Sequence, residues 1–205
     1  MIQALIFDCD GTLTDSMPLH YLAWRRTMRE HGIEFDEDRF YALGGVPSSN
    51  IVAMLAAERG LQLDAHVVAR RKEEAFLEEL HQLTPIPPIL EVARQHRGAM
   101  KMAVASGGYR DIILAQLERI GCADWFDAIV TAEDTKRHKP EPDVFLEAAR
   151  RLNVRPEHCR VYEDADLGIE AARRAGMECV DVRQLHTPRR ITPRTGGVIP
   201  RAQSL

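Results

Sequence analysis

The strongest constraint in this sequence is a spacing. Short apolar runs at residues 4–7, 100–105, 128–131, 159–162 and 179–182 have the length and composition of buried strands, and helical periodicity fills the intervals after residue 88. Strands alternating with helices in this way form a parallel sheet covered on both faces, because each parallel pair needs a crossover that a helix supplies. The first interval is different. Residues 16–83 carry helical signals alone. Asp15-Ser16-Met17-Pro18 opens a helix with Pro in its first turn, and its stripe of Leu19, Leu22, Ala23, Trp24 and Met28 ends near Gly32. A short helix is expected over 36–43, followed by a loop at Gly44-Gly45-Val46-Pro47. Ser48 or Ser49 is placed to cap the next helix, which stops at Gly60, and Asp64 opens another that runs to about Gln82. Thr84-Pro85-Ile86-Pro87-Pro88 is a stiff connector. The expected architecture is a doubly wound α/β core, residues 1–15 and 84–205, with an all-helical cap, residues 16–83, inserted after the first strand.

Composition removes several classes of function. The chain has 205 residues, 45% apolar and 28% charged, which suits one globular domain with a sizeable insertion. A net charge of -4 gives no basis for nucleic acid as a partner. There is no apolar run of about 18 residues to span a membrane, and the first apolar run is too short, and lacks a basic flank, for a secretory signal. Cys9, Cys122, Cys159 and Cys179 are scattered without a CxxC pair and read as reduced thiols of a cytoplasmic protein. A monomer is the expected state.

In open α/β sheets ligands bind beyond the carboxyl ends of the strands, so the residues that follow each run matter most. The first run leads into Asp8-Cys9-Asp10-Gly11-Thr12. Asp8 and Asp10 leave an extended backbone on the same side, and two carboxylates that close need a metal, a shared proton or a nearby cation. A turn rich in Asp and Gly is the alternative; a calcium loop fails because Thr12 and Leu13 stand where it needs a ligand and a Gly. Cys9 points to the opposite face and reads as packing. The second run leads to Ser106-Gly107-Gly108 at a helix entrance, the third to a loop holding Lys139, and the fourth to Glu163-Asp164. Singly, these are a helix cap, a surface lysine and an acidic first turn. Together on one rim they form the inventory of phosphoryl transfer: a metal clamp, holders for phosphoryl oxygens, and a nucleophile with an acid/base. His138 reads as a surface residue, and His20 lies on the first cap helix.

These residues resemble the motifs of the haloacid dehalogenase-like hydrolase superfamily. Asp8-Cys9-Asp10-Gly11-Thr12 is similar to its first motif, Ser106 to its second, Lys139-Pro140-Glu141-Pro142-Asp143 to its third and Glu163-Asp164 to its fourth. The run from Glu163 through Ala171-Ala172 to Gly176-Met177, with Lys136-Arg137-His138-Lys139-Pro140, is similar to the beta-phosphoglucomutase-like branch, nearest to its bacterial fructose-1-phosphate and 6-phosphogluconate phosphatases. The resemblance implies that Asp8 attacks phosphorus, that Asp10 serves as acid and then base, and that Ser106, Gly107 and Lys139 hold the phosphoryl group. It implies a magnesium ion held by Asp8, the Asp10 carbonyl and Asp164 with support from Glu163. Asp10 is expected to start protonated beside an ionised, metal-bound Asp8. His20, Lys72 and Ser48 are the expected cap contacts to substrate. A small phosphorylated sugar is the implied substrate, hydrolysed by a magnesium-dependent phosphatase. The alternative is a beta-phosphoglucomutase-type isomerase, but mutases carry an arginine after the loop corresponding to Gly45-Val46-Pro47, where this chain has Ser48, Ser49 and Asn50. The tail, residues 183–205, has five arginines, three prolines and no acid, and lies outside the family pattern after Leu185. It is expected either to be loose or to pack on its own core or on another subunit.

Overall fold

A computed structural model describes residues 1–192. Five strands, β1 (Ala4–Phe7), β2 (Lys101–Ala105), β3 (Ala128–Val130), β4 (Cys159–Glu163) and β5 (Glu178–Asp181), form one parallel sheet in the order β3-β2-β1-β4-β5. The expected parallel α/β sheet is therefore observed. β1 is central, pairing Phe7 with Val104 of β2 on one side and with Tyr162 of β4 on the other. All four β1 side chains are buried, which is why the run is continuously apolar rather than alternating. Their pleat divides them: Ala4 and Ile6 enter one core cluster, Leu5 and Phe7 the other. The same period carries Cys9 into the second cluster, where it is packed and buried as the sequence implied.

Among the described residues the α-helices are α1 (Met17–Glu30), α2 (Glu37–Ala42), α3 (Ser48–Glu58), α4 (Ala65–Glu78), α5 (Pro87–His96), α6 (Arg110–Arg119), α7 (Asp143–Leu152) and α8 (Asp166–Arg174). α5 and α6 cover one face of the sheet through Ile89, Ala93, Ile113 and Leu117; α7 and α8 cover the other through Phe145, Ala148, Ala171 and Ala172. The helices α1–α4 build their own apolar cluster, centred on Trp24, Met28, Phe35, Val52 and Leu55. A smaller cluster of Leu19, Ala23, Phe76 and Leu83 meets Ile112 of α6. Among the described residues no helix is long and apolar enough to cross a membrane.

One local expectation needs correction, and one bland alternative falls away. Pro47 takes the N-cap position of α3, with Ser48 already inside the helix and no side-chain cap bond. Ser106 does not cap α6 either: Tyr109 holds that position, and the Ser106 hydroxyl instead accepts from the Gly108 amide at 3.1 Å. Asp64 does cap α4, accepting from the His66 and Val67 amides at 3.0 and 3.1 Å.

The described part of the tail packs on the chain itself. His186 Nε2 lies 3.4 Å from Asp15 Oδ1. Further on, the Ile191 and Thr192 amides donate to Glu37 of α2 at 2.8 and 2.7 Å, and Arg190 pairs with Asp38 and stacks over Tyr41. Ile191 adds to the α1–α4 cluster. Residues 193–205 of the expected core lie outside the described residues.

Candidate active site

The sheet's order explains the gathering of the candidate residues. β1 lies between β2 and β4, so its end with Asp8 and Asp10 is flanked by Ser106 after β2 and Glu163 at the end of β4. One cleft at this rim is lined by Asp8, Asp10, Ser106, Gly107, Lys139, Glu163 and Asp164 from below. From above it is lined by His20, Lys72 and Ser48, so every sequence-derived candidate reaches it. His138 also borders this cleft, although its side chain is exposed as expected.

Lys139 is the centre of the charged floor. Its Nζ donates to Asp8 Oδ1 at 2.7 Å and to Glu163 Oε1 at 2.9 Å, in a site where all three side chains are nearly closed to solvent. Glu163 spends its second oxygen on the Asp164 and Ala165 amides at 2.6 and 3.1 Å. Thr12 Oγ1 donates to Asp164 Oδ1 at 3.1 Å. Two glycines permit this density. Gly11 has φ +79°, and a Cβ there would stand 2.2 Å from Asp164 Oδ2. Gly168, in the first turn of α8, lets that helix lie directly against the Glu163 carboxylate.

Asp8, Glu163 and Asp164 offer oxygens that all lie within 4.8 Å of one another. Three carboxylates face one ammonium, and the imbalance bears on Asp8 and Asp164. Burial, with Glu163 and Asp10 nearby, pushes Asp8 up to about 8 despite Lys139. Burial, Glu163 and Asp8 push Asp164 well above the usual carboxylate range. Hard oxygen donors short of positive charge suit a divalent cation such as magnesium.

Asp10 sits in a different environment. Its Oδ1 accepts from Ser16 Oγ at 2.7 Å, His20 Nε2 at 2.7 Å and Gln116 Nε2 at 2.9 Å. Burial alone would raise its carboxyl, but His20, Ser16 and Gln116 outweigh it and hold Asp10 below the usual range. The protein groups alone push Asp8 up and Asp10 down; the expectation of an ionised Asp8 beside a protonated Asp10 counts a cation at Asp8 as well.

Above Asp10 the hydrogen bonds continue into the helices. Lys72 Nζ lies 2.8 Å from His20 Nδ1. An ammonium carries only donors, so Nδ1 accepts and the ring proton on Nε2 faces Asp10. Lys72 also reaches both oxygens of Glu73 at 3.1 Å, and Ser48 Oγ donates to Glu73 Oε1 at 3.1 Å. The His20 ring stacks on Phe76 with centroids 3.9 Å apart.

Sequence reasoning missed Thr12, Ser16, Glu73 and Gln116 as partners in this network. Ser16 and Thr12 adjoin the first motif, and Glu73 adjoins Lys72, so proximity is the available signal. Gln116 has a stronger one: it stands at a fully buried position in the stripe Ile112, Ile113, Gln116, Leu117 of an otherwise amphipathic helix.

A profile of the haloacid dehalogenase-like hydrolases matches residues 2–176. The chain is 42% identical over 181 residues to fructose-1-phosphate phosphatase YqaB of Escherichia coli K12, covering 88% of this chain and 96% of the relative. It is 32% identical over 192 residues to a beta-phosphoglucomutase of Bacillus subtilis 168, covering 89% and 84%. Among solved structures, it is similar to a beta-phosphoglucomutase from Clostridium difficile with a TM-score of 0.79 at 28% identity, covering 88% and 84%.

Proposed function

The chain belongs to the haloacid dehalogenase-like hydrolases, and from that premise we propose that it is a magnesium-dependent phosphatase of small sugar phosphates, of the fructose 1-phosphate or 6-phosphogluconate type. The observation that carries the reading is the buried contact of Lys139 with Asp8 and Glu163, with Asp10, two residues after Asp8, held in a separate hydrogen-bond set. An Asp8 oxygen attacks phosphorus while the ester P–O bond breaks, and Asp10 delivers a proton to the departing sugar oxygen. Asp10 then takes a proton from the water that attacks the aspartyl-phosphate, releasing inorganic phosphate and restoring Asp8. The Ser106 hydroxyl, the Gly107 amide and Lys139 hold the phosphoryl oxygens, the lysine bridging nucleophile and phosphoryl group. Asp8, the Asp10 carbonyl and Asp164 would hold magnesium, with Glu163, whose oxygens are taken by Lys139 and two amides, fixing their positions. When bound, the ion supplies positive charge that offsets the repulsion between Asp8 and an incoming phosphate.

We assign residues 16–83 to a cap that closes over this site, and the stretches Thr14-Asp15-Ser16 and Thr84–Pro88 to its hinges. The separate apolar cluster of α1–α4 supports that division. The similarity to beta-phosphoglucomutases keeps an isomerase as the second reading. Against it, the loop and helix end that face the cleft offer Gly45, Val46, Pro47 and Ser48, and Ser48 is engaged with Glu73. A second phosphate would meet no arginine there.

The two readings separate in one assay. Net phosphate release from fructose 1-phosphate is expected, with negligible conversion of glucose 1-phosphate to glucose 6-phosphate even when primed with the bisphosphate. Acid quenching should trap phosphate on the wild-type protein but none on Asp8→Asn. Efficient isomerisation without matching phosphate release would establish the mutase instead.

A further inference from the structure

All three side-chain hydrogen bonds to Asp10 land on one oxygen. Ser16, His20 and Gln116 all donate to Oδ1, and among the described residues no hydrogen bond reaches Oδ2. The donors come from two bodies. Ser16 sits at the proposed hinge and His20 on α1 of the proposed cap, whereas Gln116 belongs to α6, on the sheet. Gln116 is completely buried, and both ends of its amide are used. Its Oε1 accepts from the Thr14 hydroxyl at 2.7 Å while its Nε2 donates to Asp10 at 2.9 Å. That fixes the sense of the amide. Turned over, its oxygen would face the Asp10 carboxylate, acceptor against acceptor.

We propose that Gln116 is the core-side positioning residue for Asp10. It holds Oδ1 inward so that Oδ2 is the oxygen presented to the leaving group, independently of where the cap stands. The proposal rests on the reading of Asp10 as acid and base given above. When the cap swings away, His20 leaves with it. Gln116 stays on α6, so Asp10 keeps its rotamer through opening and closing instead of searching for it in each cycle. The amide touches no substrate and transfers no proton; it acts through Asp10 alone.

The test uses Gln116→Met, which keeps the side chain's length and removes the N–H, with single-turnover formation of the aspartyl-phosphate as the readout. Transfer from a sugar phosphate, whose alkoxide must be protonated, should slow about tenfold or more, the rate equivalent of one hydrogen bond to a charged group. Transfer from p-nitrophenyl phosphate should slow by less than about twofold, since that leaving group needs little protonation. In the Asp10→Asn background, Gln116→Met should add nothing. Thr14→Val, which frees the amide and also removes the hydroxyl's 3.1 Å contact with the Cys9 carbonyl, should show the same substrate preference in weaker form; it carries the test if Gln116→Met does not fold. Equal slowing of both substrates, or slowing that persists with Asp10→Asn, would mean a general packing role and overturn the proposal. The underlying reading fails separately: in that case Asp10→Asn itself would show no leaving-group preference.

Discussion

Gly168→Ala sets two physical effects against each other. In a helix interior Ala is favoured over Gly by about 1 kcal/mol, so propensity alone makes the substitution stabilising. The site makes the opposite demand. The new Cβ would stand 1.6 Å from Glu163 Oε1 and 2.1 Å from its Cδ, so something has to move. Glu163 is held by Lys139 at 2.9 Å and by the Asp164 and Ala165 amides at 2.6 and 3.1 Å. Swinging it away breaks three charge-assisted hydrogen bonds, together roughly 5–9 kcal/mol. Backing the first turn of α8 off the sheet costs about 1–3 kcal/mol as ordinary overpacking. The second route is cheaper and is the one expected. After the helix-propensity gain the net loss is about 0–2 kcal/mol, a fall in Tm of up to roughly 8 °C for a chain of this size. Because Asp164 and Ala165 lead directly into α8, the shift also carries Asp164 away from Asp8. The magnesium concentration for half-maximal activity should therefore rise about tenfold or more. Denaturant or thermal unfolding with a magnesium titration measures both quantities. Gly107→Ala is the stability control, since a Cβ there meets nothing within 4 Å. If Gly168→Ala were as stable as the native chain or more so, with an unchanged magnesium requirement, the close packing of α8 on Glu163 would be refuted.

Two more expectations follow from the same structure. Asp164→Ala should raise the magnesium requirement far more than Asp166→Ala, because Asp166 is exposed and pairs with Arg183 at 2.7 Å, away from Asp8; equal effects would remove Asp164 from the metal assignment. Glu37 couples the tail to α2: burial would raise its carboxyl, but the Thr192 hydroxyl and the Ile191 and Thr192 amides outweigh it and hold Glu37 below its ordinary range. A depressed carboxylate contributes stability that is complete above its unfolded value of about 4.3 and is lost as pH falls through the lower folded value. The stability difference between the native chain and Glu37→Gln should therefore be constant near neutrality and shrink below about pH 4; a difference independent of pH down to acid unfolding would mean the tail contact contributes nothing.

Local sequence accounts for the elements and for which polar side chains stand at their ends. Ala4–Phe7 is a buried strand because four consecutive apolar residues need both faces covered, and Asp8 and Asp10 share a side because the pleat has a period of two. Asp64 marks a helix start because a carboxylate satisfies amides two and three residues on. These are short-range causes, and short-range causes are written in neighbouring residues. What the tertiary structure decided is the set of partners. The order β3-β2-β1-β4-β5 places Glu163 beside Asp8, although no local signal states that β4 rather than β3 flanks β1. Ser48 and Ser106 had obvious local employment as helix caps, yet Pro47 and Tyr109 hold those positions, and the hydroxyls serve Glu73 and the Gly108 amide instead. Gln116 reaches Asp10 across 106 residues of chain and Thr192 reaches Glu37 across 155. A buried polar group must find a partner, so the sequence can say that Gln116 in an apolar stripe and Glu37 beside Phe40 need one. Which partner it is depends on what the packed helices bring within 3 Å, and that is a property of the fold.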